Sequence, residues 1–323
     1  MKKKTMRQSS ALKKTREFSL CVWMASALVP LLTASCHARL HEVIDQEENG
    51  KVPVTILVNN LSNPSNVQTR ALVDVSQVCS NLSFCIYPCE GESFDKIQIN
   101  QSRGEESFGM VSQNLTIGVH KIVVVAHNGD KNPTMTNPES IAFSSNTVMK
   151  TTDTYCWAGE VNVTQETGTV VVSLARATAM FRLKLTDDQI PAQVCELQFA
   201  YKGGSAAVNP FTLEGTTKSN QKESFVIQDH SQKIFEIYTF PRYEEKNGER
   251  NLSQLEITVT AIDVYGNAVK ERVLSDVPVN RNRITECTGE FFAGSCLEYT
   301  NIGFGGLQVE EEWGGTDPYS LND

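Results

Sequence analysis

The chain has 323 residues with 29 basic and 38 acidic side chains, a net charge of −9, which makes it a poor partner for nucleic acid or anionic lipid, since both need positive fields. Its length is too great for one ordinary core and suits two domains of ~100–150 residues.

The first elements are not part of the fold. Seven basic side chains (Lys2, Lys3, Lys4, Arg7, Lys13, Lys14 and Arg16) stand against one acid, Glu17, before Leu20–Ala34, which is apolar apart from Ser26 and Thr33. This run is shorter than the ~20 residues a spanning helix needs, and Pro30 weakens it further, so residues 1–35 read as a secretory signal. Leu32-Thr33-Ala34-Ser35-Cys36 resembles the bacterial lipobox, with small residues before a cysteine that becomes the lipid acceptor. Thr33, where leucine is commoner, is a mild departure. His37 gives no inner-membrane retention signal, so the reading is a lipoprotein anchored by Cys36 in the outer membrane, its acyl chains contributing ~0.8 kcal/mol per buried methylene. Removing the leader leaves 22 basic residues against 37 acidic, a net charge near −15.

Residues 36–51 are polar and aperiodic and read as a tether. Beyond it almost every segment has strand character. Val52–Val58 is a β-branched run closed by the turn-rich residues 59–66; Phe84–Tyr87, Lys96–Ile99 and Lys121–Ala126 follow, the last a continuous apolar run after Lys121, as in a central strand packed on both sides or in a sandwich core. After a polar stretch with Pro133 and Pro138 come Val161–Val163, a turn around Gly168, then Val170–Leu174 and Ala179–Leu185. Cys195–Tyr201, Ser224–Gln228, Ile234–Phe240 and Leu255–Ile262 continue the pattern, and Tyr265-Gly266-Asn267-Ala268 joins the last of these to Val269–Leu274 as a hairpin. No stretch sustains a helical period. Short strands punctuated by turns predict an all-β chain of two β-sandwich domains, residues 52–165 and 166–323, the second ending in an acidic tail.

No residue set suggests a reaction, and the chain is not expected to be an enzyme or to carry a cofactor. Gly303-Phe304-Gly305-Gly306 lacks the lysine and the strand–helix setting of a phosphate loop. His37 and His41 lie in the tether. His120 and His127 are seven apart on one strand and must point to opposite faces. Apart from Cys21 and Cys36, seven cysteines remain (Cys79, Cys85, Cys89, Cys156, Cys195, Cys287 and Cys296), an odd number at no metal-ligand spacing; Cys287–Cys296 is the least implausible bridge. Once Trp23 leaves with the leader, Trp157 and Trp313 are the remaining tryptophans, and core or inter-domain packing accounts for them better than a sugar platform.

Four segments in order, KIVVVAHNGD (121–130), VVVSLARATAMFRLKL (170–185), TVTAIDVYGNAVKERVL (258–274) and DVPVNRNRITECTGEF (276–291), resemble the Bacteroidales fimbrillins, the lipoprotein-derived type V pilins. The resemblance implies two transthyretin-like Greek-key sandwiches, a surface location on the fimbrium, a role in adhesion, and assembly with other fimbrial subunits by donor-strand exchange. It also implies maturation by an arginine-specific surface protease, and the matching layout here is strand Val52–Val58, a polar loop, then Arg70 and Ala71. The residues add their own logic, because an excised strand leaves unpaired backbone groups and an uncovered apolar row, a template for strand addition. Anchor-type members of that family keep lipid and strand and sit at the fibre base. A surface glycan-binding lipoprotein on a similar scaffold is the rival from another class.

Overall fold

The protein is described by a computed structural model over residues 50–62, 74–88, 95–143, 150–292 and 316–318. Cys36, Arg70, Ala71, Cys89, Cys296 and Trp313 lie outside those residues. The described chain is built from strands. The first half comprises β1 (Lys51–Ser62), β2 (Asn81–Tyr87), β3 (Ile97–Ser102), β4 (Met110–Thr116), β5 (Gly118–His127), β6 (Thr134–Asn137), β7 (Ser140–Ala142), β8 (Thr154–Val163) and β9 (Thr169–Arg176). The second comprises β10 (Ala179–Leu185), β11 (Val194–Lys202), β12 (Ala207–Asn209), β13 (Glu214–Gly215), β14 (Asn220–Val226), β15 (Ile234–Thr239), β16 (Tyr243–Lys246), β17 (Glu249–Leu252), β18 (Leu255–Asp263), β19 (Ala268–Val277), β20 (Ile284–Gly289) and β21 (Thr316–Pro318). One helical turn, α1 (Val75–Val78), follows β1 and is capped by the Asp74 carboxylate, which accepts from Ser76 N at 2.8 Å.

The first sheet runs β3-β2-β5-β8-β9-β1-β4. It doubles over between β8 and β9, which meet only at Tyr155–Arg176 and Cys156–Ala175. The fold brings Val54, Ile56, Val111, Leu115, Val172 and Leu174 of one half against Leu82, Phe84, Ile122 and Val124 of the other in a single core. The second sandwich stacks β15-β10-β20-β21 on β14-β11-β18-β19 around Phe181, Leu183, Leu197, Phe199, Phe235 and Ile257. The β18–β19 hairpin turns through Gly266 at φ +83°. Its corner is braced by the Asp263 carboxylate, which accepts from the backbone N–H of Tyr265 and Asn267.

The seam differs from the one expected at residue 165. The turn around Gly168 joins two strands of the same sandwich, because β9 pairs in parallel with β1 from Thr55–Thr169 to Ser62–Ala175. The chain passes from one packed cluster to the next at Ala177 and Ala179. A turn signal marks a reversal of direction and carries no information about which core the next strand enters.

A small sheet, β13-β12-β7-β6, takes two strands from each side of that crossing. It lies over the outer face of β2, β5 and β8, where Cys85, Val123, Val125 and Cys156 meet Ile141, Phe143, Val208 and Phe240. This explains the unbroken apolar run in β5. Ile122, Val124 and Ala126 enter the first core, while Val123 and Val125 enter this second layer.

Candidate strand-exchange groove

β1 occupies the middle of a three-stranded half-sheet. On one side it pairs antiparallel with β4 from Lys51–Thr116 to Leu57–Met110; on the other it pairs parallel with β9, with an irregularity between Val58 and Asn60. The β-branched run makes it a strand, and alternation sends Val54, Ile56 and Val58 into the core, with Leu61 following after the irregularity. All four are buried. At roughly 1.5–3 kcal/mol for each fully buried aliphatic side chain, β1 contributes on the order of 6–12 kcal/mol of burial, comparable to the ~5–15 kcal/mol stability of a whole domain.

The groove that β1 fills is bounded by the facing edges of β4 and β9 and floored by Val111, Leu115, Val172 and Leu174. Among the described residues β4 has no strand on its other side, yet both of its ends are tied. The Gln101 amide of β3 donates to Met110 O at 2.8 Å and to Ser107 O at 2.9 Å, while Gln101 Oε1 accepts from Gly109 N at 2.9 Å. At the far end His120 Nε2–H donates to Thr116 O at 2.8 Å. Sequence reasoning missed both ties, because each partner comes from a different strand. In sequence, Arg70 and Ala71 fall between β1, which ends at Ser62, and α1, which is capped by Asp74.

The remaining candidates divide clearly. His120 and His127 face opposite sides of β5 as their spacing requires; His120 lies on the parity of Ile122 and Val124, and His127 packs edge-on against Phe143 at 5.7 Å between centroids. Burial pushes the His127 pKa down to about 4. The indole of Trp157 lies over Gly159 and packs on the first core. Cys79, Cys85, Cys156 and Cys287 are buried free thiols whose pKa values burial raises, the state of inert structural cysteines. Among the described residues no three metal-ligating side chains converge, and no helix is long and apolar enough to cross a membrane.

No curated protein matches the chain. Among solved structures it is similar to an inferred adhesin from Bacteroides ovatus, at 13% identity and TM-score 0.45, over 76% of this chain and 88% of the other. It is also similar to an inferred polysaccharide-binding protein (DUF1812) from Bacteroides thetaiotaomicron, at 11% identity and TM-score 0.41, over 68% and 79%. A third similarity is to the fimbrial anchor protein Mfa2 from Porphyromonas gingivalis, at 9% identity and TM-score 0.38, over 71% and 83%. A family model described as a family of unknown function, DUF6562, matches residues 46–315, and with that span covered the chain belongs to this family.

Proposed function

We propose that the chain is a fimbrillin-like subunit of a bacterial surface fibre, carried to the outer membrane by lipid on Cys36 and joined to other subunits by exchange of β1. The observation that carries this reading is the position of β1. It is a central strand holding four buried side chains, and it is followed directly by the connection that contains Arg70. Cleavage after Arg70 would sever the covalent link between β1 and the rest of the fold. The cut chain could not then release the strand without losing burial worth roughly a domain's stability. Release therefore requires a replacement strand, which the two ladders and the apolar floor of the groove are built to accept. In this reading the chain performs no reaction of its own, and its partners are sister subunits, the outer membrane and an arginine-specific protease.

The test is N-terminal analysis of protein sheared from the cell surface, with palmitate labelling of a Cys36→Ala variant as control. Chains that begin at Ala71, together with loss of label in the variant, support the reading. If every surface chain is blocked at Cys36, exchange of β1 is ruled out. A fibre-base anchor of the same kind would then remain, and the completeness of the fold with β1 in place favours it as the second reading.

A further inference from the structure

The outward face of β4, β1 and β9 is unlike the other sheet faces of the described chain. Alternation turns Thr55 and Leu57 away from the core that Val54 and Ile56 enter. The ladders set Met110, Leu57 and Val171 side by side in one row and Ser112, Thr55 and Thr169 in the next. Met110 is 46% exposed and Val171 56%. The Thr55 and Ser112 hydroxyls bond to each other at 2.8 Å, so burying them leaves little unsatisfied. From Pro53 to Asn59 and on the neighbouring stretches of both flanking strands, no outward side chain is ionisable. By contrast, the outer face of β11 and its neighbours carries Glu196, Lys222, Glu256 and Glu271, and on β10 Arg182 sits between Glu236 and Glu286. The outer face of β2, β5 and β8 is already covered by the small sheet.

We propose that this face is a self-association surface, packing on the same face of a second copy of the chain. The occupant follows from charge. Two copies of the chain without its leader, each at a net charge near −15, repel wherever their carboxylates meet, and desolvating those charges adds to the cost. Among the sheet faces compared above, this is the one on which two identical surfaces meet without opposing like charges. A polyanion finds no cation on it, and an oligosaccharide finds no aromatic ring. A two-fold axis makes such a patch self-complementary, apolar row against apolar row. Three strands at ~4.8 Å spacing and about seven residues at ~3.3 Å give on the order of 330 Å² per copy, under half of the ~800 Å² per partner that stable complexes bury. The contact is therefore weak in dilute solution and grows wherever copies are held close together. It does not depend on cleavage at Arg70, and because β1 supplies the middle of the face it belongs to the uncut chain.

Sedimentation velocity of residues 36–323 carrying Cys36→Ser, from about 10 µM to about 1 mM, tests this in the affinity range expected for so small an interface. The expected result is a shift toward dimer at the upper end that is lost in both Val171→Asp and Met110→Asp, each of which sets like charges opposite one another across the two-fold axis. Both residues are solvent-exposed, and an unchanged unfolding curve shows that the variants fold. Val226→Asp, on an exposed position of β14, should leave the dimer intact. A wild-type chain that stays monomeric throughout overturns the proposal, and so does a dimer that survives both face substitutions.

Discussion

His127 is the residue through which acid should first weaken this fold. Its Nδ1 accepts from Gly129 N at 3.1 Å, its Nε2 has no hydrogen-bond partner among the described residues, and its edge rests on Phe143. Burial holds its pKa near 4, against 6.5 for an exposed histidine. Between those values the unfolded chain binds the proton and the folded chain does not. Its contribution to stability is therefore complete above pH 6.5 and is lost as pH falls toward 4. At ~1.36 kcal/mol per pKa unit, moving from pH 7 to pH 5 should remove about 2 kcal/mol. Glu223 slopes the other way, because burial raises its pKa despite Lys150, so the measurement must be a difference. Urea unfolding at pH 7 and pH 5 should show a smaller loss in His127→Gln than in the wild type, and equal losses would remove His127 from the account. A second residue-scale expectation concerns Gly159, where a Cβ would stand 2.8 Å from the Trp157 ring. Gly159→Ala should cost ~1–3 kcal/mol through overpacking and change the Trp157 emission. The sequence could place the two histidines on opposite faces, because that follows from period two alone. The apolar run of β5 was consistent with cover on both faces, but the sequence did not show what supplies the cover over His127, because Phe143 and the short strands around it carry no period.

At the scale of the element, β1 carries the sharpest contrast between neighbouring positions. Ile56 is buried and Leu57 is only partly buried, on the opposite face. Ile56→Ala should therefore lower stability by ~2–5 kcal/mol, while Leu57→Ala should cost less than about 1 kcal/mol, as read from denaturant midpoints at constant slope. Comparable losses at both positions would mean that β1 is not seated in the register seen here. Such strands were legible because a β-branched alternating run states both the element and its inward face. The short strands were not. β6, β7, β12 and β13 hold two to four residues each, too few for any period to emerge, and β6 and β7 lie in a stretch that Pro133 and Pro138 mark as irregular. The groove was half-legible for a related reason. Its filling strand was visible in residues 52–58, but its walls come from β4 and from β9, which the turn near residue 165 had assigned to the other domain.

At the scale of the molecule, the small sheet decides whether the two sandwiches behave as one body. β7 and β12 pair at Ile141–Val208 and Ala142–Ala207, Phe143 N donates to Ala206 O at 2.8 Å, and Phe143 and Phe240 are buried together beneath them. Polar ties lie on either side of this layer. Gln221 of the second sandwich donates to Thr151 Oγ1 at 3.0 Å, Lys150 pairs with the buried Glu223, and Arg176 bonds both Asp153 and Asn282, at 3.0 Å each. Breaking the last of these would leave a buried guanidinium without its full set of partners, a costly state. Opening the seam would thus expose an apolar layer and strand several polar groups together, so neither sandwich should unfold while the other remains intact. The expected outcome is one cooperative transition, with far-UV circular dichroism and Trp157 fluorescence tracing the same denaturation curve, Trp313 being replaced by phenylalanine so that the emission reports the first sandwich alone. Val208→Asp places a carboxylate in the fully buried centre of the layer, where desolvation obliges it either to stay protonated or to force the seam apart. The two curves should then separate, the fluorescence midpoint departing from the circular dichroism midpoint. If the wild-type curves already separate, the small sheet is not a mechanical coupling. If they still coincide in Val208→Asp while overall stability falls, the cohesion lies instead in the Arg176 cluster, and Asn282→Ala becomes the substitution that should split them.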